Sequence, residues 1–167
     1  LSSYCDRVVV LPRSTADVYS KLKPLPFIQD IIDAGRSVVE GDGDFYLMLT
    51  NADICPTENL YQFAWERLGS GNGRSTAISI NRMTVPHFEL PTNNDDPVEV
   101  KNELATQIMR QARDAAKQGK WHKHPGHDCF VFHSSMLNTI NLGEQFLGFP
   151  RWGGNLNFML QFMATNY

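Results

Sequence analysis

The chain has 167 residues, of which 42% are hydrophobic and 20% charged, with a formal net charge of -3. That balance fits one soluble globular domain spanning residues 1–167 and argues against the large basic footprint of a nucleic-acid-binding protein. Three scattered cysteines, Cys5, Cys55 and Cys129, make neither a disulfide framework nor a C-x-x-C zinc pair, and no apolar run approaches the roughly 20 residues of a membrane span.

A reducing, cytoplasmic compartment is the resulting expectation. The chain opens on Leu1 without a signal-like stretch and reads as a processed or truncated product. Asp6 to Pro12 reads as a strand, because three consecutive valines are closed by a proline. After Pro24-Leu25-Pro26, the residues Phe27, Ile28, Ile31, Ile32, Val38 and Val39 recur at near-helical spacing, with Pro26 suited to the first helical position. Gly41 to Asp44 is a turn. Phe45 to Leu49 is then a short apolar strand that ends abruptly in Thr50, Asn51 and Asp53. Strand, helix and strand in this order read as a βαβ unit.

Thr57 is an N-cap candidate for a helix whose stripe is Leu60, Ala64 and Leu68. The glycine cluster 69–73 ends that helix; it lacks the lysine and the strand-to-helix setting of a phosphate loop. Ala77 to Val85 reads as a third strand. Asp96-Pro97-Val98-Glu99 opens a helix with an N-cap, a first-turn proline and an acidic third position. Val100, Leu104, Ile108 and Ala112 carry that helix toward Gly119. Cys129 to Phe132 is a short buried strand. Ser134 to Leu142 reads as a short helix, Gly143 to Gly154 as a loop, and Leu156 to Met163 as a terminal helix.

Two segments carry candidate chemistry. Asn51 and Asp53 lie two positions apart after a buried strand, so on an extended chain they share a face. A carboxylate there suits Mg²⁺ or Mn²⁺, and equally suits the cap of the following helix. The second segment, residues 121–128, holds His122, His124 and His127. Their spacing does not match a helical zinc motif, and Pro125-Gly126 breaks any helix that would align them. A metal-dependent hydrolase built on these histidines is one alternative. Asp128 directly precedes a buried strand, so its carboxylate is held in place and suits a general base, with His127 as its partner.

Three blocks in order resemble the nucleotide-diphospho-sugar transferase superfamily, the GT-A type glycosyltransferases. The first joins Leu25 to Ile31 with Phe45 to Ile54, ending T-N-A-D-I. The second is Ser79-Ile80-Asn81-Arg82. The third is His124 to Phe132, H-P-G-H-D-C-F-V-F, followed by Phe146 to Trp152. With the βαβ reading, the resemblance implies a GT-A or Rossmann-like three-layer sandwich around a mostly parallel sheet. It implies transfer of a sugar from a nucleotide-sugar donor to an acceptor hydroxyl, assisted by Mn²⁺ or Mg²⁺. Asp53 matches the last aspartate of the superfamily's D-x-D motif and is the implied metal ligand, while Asn51 replaces the first. Asp128 is the implied catalytic base, and Asn51, Arg82, His127 and Trp152 the implied substrate-binding residues, with Trp152 suited to stack on a sugar ring or to fill the core. The superfamily's first nucleotide-binding unit has no counterpart before Asp6. The chain is therefore either a fragment or a shortened relative, and the main alternative, ahead of the hydrolase, is a non-catalytic sugar- or nucleotide-binding or structural relative.

Overall fold

A computed structural model describes residues 7–41, 43–51, 54, 59–69, 76–84, 106–114, 117–118, 122–123 and 126–164. Its helices are α1 (Thr15–Val18), α2 (Ile28–Ser37), α3 (Leu60–Gly69), α4 (residues 106–114) and α5 (Trp152–Met163). Its strands are β1 (Tyr46–Thr50), β2 (Ala77–Ile80), β3 (Met83–Thr84), β4 (His122–Lys123) and β5 (Cys129–His133). A 3₁₀ turn, Ser134–Met136, follows β5.

The sheet has the order β1-β5-β2, and β5 runs antiparallel to both neighbours. This corrects the mostly parallel three-layer sandwich expected from the sequence. The βαβ reading needed Val8, Val9 and Val10 to form a strand beside β1. Instead all three are exposed and outside the sheet, where Arg7 donates to the Val38 carbonyl and pairs with Glu40. The neighbour of β1 comes from far along the chain. Residues 129–133 are the most apolar strand and all five are buried, so this segment takes the central position. The long connection after β2 brings it back in the antiparallel sense.

Strand alternation then sorts the core into two faces. Leu49, Ala77, Phe130 and Phe132 face Ile28 and Ile32 of α2 and Leu156 and Leu160 of α5. Cys129 and Val131 face Ala64 and Leu68 of α3, flanked by Tyr46, Met48, Ile78 and Ile80. Each helix presents apolar residues at i and i+4, the spacing that places them on one stripe.

The start of α2 is fixed by contacts distant in sequence. The Ile28 N–H donates to the Gln145 carbonyl at 2.8 Å, and the Leu147 N–H to the Pro26 carbonyl at 3.0 Å. Phe27 thus becomes the N-cap and Pro26 lies one residue before it. Arg13 pairs with Asp30 through two nitrogens, at 2.9 and 3.2 Å, and its guanidinium lies 4.3 Å from the Phe27 ring centroid. Asp30 in the first turn and Arg36 in the last both suit the helix dipole. No helix among the described residues is long and apolar enough to cross a membrane.

Other boundaries moved for local reasons. The expected strand 77–85 breaks after Ile80, and Met83–Thr84 pair with His122–Lys123 in a separate ribbon. The expected helix 134–142 shrinks to one 3₁₀ turn, capped by His133 Nδ1 accepting from the Ser135 N–H at 3.0 Å. The expected opening of the helix at Asp96 and the glycine cluster 70–73 lie outside the described residues.

Candidate functional site at one end of the sheet

The antiparallel register determines what meets at this end. Thr50 and Ile80 both pair with Cys129. The residues that leave β1 and β2 therefore emerge beside the residues that enter β5. Asn51 follows the first strand, Asn81 and Arg82 follow the second, and His127-Asp128 precede the third.

Asp128 is at the centre. Its side chain is buried, and Oδ1 accepts from Asn51 Nδ2 at 3.2 Å. Oδ2 lies 3.4 Å from Arg82 Nε. A carboxylate removed from water needs such partners, because an uncompensated buried charge is strongly unfavourable. Arg82 is the less buried member, with 30% of its side chain exposed. The strand break after Ile80 turns Arg82 toward Asp128.

His127 reaches the other way. Its Nδ1 lies 2.6 Å from Ser79 Oγ. Its ring centroid is 6.4 Å from that of Phe130, tilted by 35°. Phe130 in turn meets Trp152 at 6.0 Å. Trp152 is half-buried, so its ring serves the core edge as well as the site. It opens α5 directly after Arg151, the one non-glycine residue with positive φ among the described residues, at 67°. That left-handed turn brings α5 close beside the entry to β5. A Cβ built on Gly153 would lie 2.8 Å from the His127 carbonyl oxygen. Glycine is required there by close approach rather than by its backbone angles.

Five of the six site residues that the resemblance implies, Asn51, Arg82, His127, Asp128 and Trp152, thus gather at one end of the sheet. Asp53 lies outside the described residues, as does His124. Among the described residues, no three His, Cys, Asp or Glu side chains form a group able to hold a metal ion. Ser79 is the residue sequence reasoning did not select. Its signal was a hydroxyl in the otherwise apolar A-I-S-I strand, one pleat from Ala77 and on the core face.

Next to Asp128, the Cys129 thiol points to the opposite face and is buried. Burial pushes its pKa above the ordinary thiol value, and a hydrogen bond with Thr50 opposes that only in part. It is therefore held as a neutral thiol at physiological pH.

The chain matches no protein-family profile, and neither the curated proteins nor the solved structures contain a match to it.

Proposed function

We propose that the chain serves glycosyl transfer from a nucleotide-sugar donor to an acceptor hydroxyl. The observation that carries this reading is the direct contact among Asn51, Arg82 and Asp128, one residue from each of the three blocks that resemble the superfamily. Residues far apart in sequence that share one polar cluster fit a common ligand better than three separate structural duties.

Each side chain has a task suited to its chemistry. The Arg82 guanidinium favours the diphosphate electrostatically. The Asn51 amide orients Asp128 and a sugar hydroxyl. Asp128 accepts the proton of the acceptor hydroxyl as its oxygen bonds to the anomeric carbon and the nucleoside diphosphate departs. His127, fixed by Ser79, borders the acceptor side, and the exposed part of the Trp152 ring offers an apolar edge to the sugar. By the superfamily resemblance, Asp53 would hold a divalent cation, which would neutralise charge on the leaving diphosphate.

A second reading, a binding protein without turnover, is favoured by one specific feature. Asp128 is buried, with Oδ1 accepting from Asn51 and Oδ2 3.4 Å from Arg82 Nε, and the same contacts tie the ends of the three strands together without any turnover. Titration calorimetry with a panel of nucleotide-sugars and Mn²⁺, followed by a product assay with hydroxyl acceptors, separates the two. Saturable binding with release of nucleoside diphosphate supports transfer, and binding without release supports the second reading. A folded protein that binds no nucleotide-sugar overturns both.

A further inference from the structure

The far end of the same sheet carries a cavity of about 340 Å³. It lies where β1 begins and β5 ends, so the length of the strands separates it from Asp128. Among its lining residues are Arg36, Asp44, Phe45, Ser135 and Asn138. They come from the end of α2, the turn before β1 and the 3₁₀ segment after β5.

The lining mixes donors and acceptors in a fixed arrangement. Arg36 donates to Asn138 Oδ1 at 3.0 Å, which turns the amide group of Asn138 into a second donor on the rim. His133 is buried beneath the rim. Its Nδ1 accepts from the Ser135 N–H at 3.0 Å and lies 2.9 Å from Ser135 Oγ. A neutral imidazole that accepts at Nδ1 carries its proton on Nε2. Here Nε2 faces Asp44 Oδ1 at 3.9 Å. The buried ring thus sets Ser135 on one side and an attractive partner for Asp44 on the other. The Tyr46 ring holds it edge-on at 5.1 Å. Phe45 adds an apolar wall, and its N–H donates to Ser134 Oγ at 3.3 Å.

We infer that this cavity is a binding site for a monosaccharide unit. An anion would be opposed by Asp44, and a cation by Arg36. A pyranose presents vicinal hydroxyls that each donate and accept, together with an apolar C–H face. Asp44 accepts from such hydroxyls, Arg36 and Asn138 donate to them, and Phe45 meets the C–H face. The volume is near the lower end of ligand pockets, roughly 300–1,000 Å³, which suits one sugar ring and excludes a whole nucleotide-sugar. The inference stands on these residues and not on the chemistry proposed around Asp128.

The test is amide chemical-shift mapping of the full chain with methyl pyranosides of glucose, galactose and mannose, with inorganic phosphate as the comparison. The expected result is saturable shifts at Gly43, Phe45, Ser135 and Asn138 with at least one pyranoside in the millimolar range. Asp44→Asn, an exposed and conservative change, weakens that binding by about tenfold, the loss of a hydrogen bond to a charged group. Arg36→Gln does the same where it folds. The inference is overturned if no pyranoside shifts these amides in the folded protein, if only phosphate does, or if Asp44→Asn binds as well as the parent chain. Shifts at Asn51, Arg82 and Asp128 with nucleotide-sugars report the other end independently.

Discussion

Arg82 Nε lies 3.4 Å from Asp128 Oδ2, and this ion pair ties the exit of an edge strand to the entry of the central one. Asp128 is nearly removed from solvent, whereas Arg82 keeps 30% of its side chain exposed. Deleting the cation therefore leaves a carboxylate with little access to compensating water. Arg82→Gln is expected to destabilise the fold by about 1–3 kcal/mol, reduced toward the lower figure by the exposure of the arginine. Asp128→Asn in the same chain removes the orphaned charge and recovers part of the loss. Urea denaturation of both single variants and the double variant measures this as a coupling energy. Additive single effects would mean that the pair is not coupled.

Two adjacent glycines in the first turn of α5 give opposite outcomes on changing to alanine. A Cβ on Gly153 would approach the His127 carbonyl oxygen to 2.8 Å, and neither the helix nor the strand entry yields easily. A Cβ on Gly154 would meet only the Arg151 Cβ, at 4.0 Å. Alanine is the better helix former by up to about 1 kcal/mol. Gly154→Ala should therefore raise the thermal midpoint slightly. Gly153→Ala should lower it and disturb the amide signals of His127 and Asp128.

Where a pattern depends on neighbours three or four residues away, the sequence disclosed it. Ile28 and Ile32, Ala64 and Leu68, and Leu156 and Leu160 are the buried stripes of α2, α3 and α5. The apolar run 129–132 also became a strand buried on both faces. Strand direction was not legible, because it depends on which distant segment takes the central place. Val8 to Val10 have the composition of a sheet strand yet lie exposed. The start of α5 was missed for a related reason. Gly153 and Gly154 read as loop residues, but the contact of Gly153 with His127 is a tertiary demand that outweighs their weak helix propensity. At the site, a polar tip after β1 and an aspartate before β5 were visible as separate features. Their union through Asn51 and Asp128, 77 positions apart, follows from the antiparallel register.

Cys129 supplies a pH dependence. Burial raises its folded-state pKa, so between the ordinary thiol value and the raised one the folded state holds a proton that the unfolded chain has released. Stability then falls as pH rises. The thiol's contribution is complete below about pH 8 and declines from about pH 8.5 upward, through the ordinary thiol range. Cys129→Ala removes this slope while costing some packing against α3. Denaturation midpoints at stepped alkaline pH show the difference. The same burial predicts slow reaction of the native thiol with a disulfide reagent, with full reaction on unfolding.

Ser79 and His127 provide the sharpest local probe of the proposed site. At 2.6 Å the hydroxyl and Nδ1 share one proton-bearing contact, which holds the imidazole against Phe130. If the serine donates, the neutral ring carries its proton on Nε2; if Nδ1 donates, Nε2 is an acceptor toward solvent. Ring nitrogen shifts in a long-range ¹H–¹⁵N spectrum distinguish these tautomers. Ser79→Ala should remove the preference for one tautomer and lose about 1 kcal/mol, the worth of a typical hydrogen bond. Because His127 then no longer has a fixed orientation, nucleotide-sugar affinity should fall several-fold, while Ser79→Thr retains the hydroxyl and restores it wherever the extra methyl fits beside Phe130. A Ser79→Ala variant with unchanged ring shifts and unchanged affinity would remove His127 from the site and leave Asp128, Asn51 and Arg82 as its polar group.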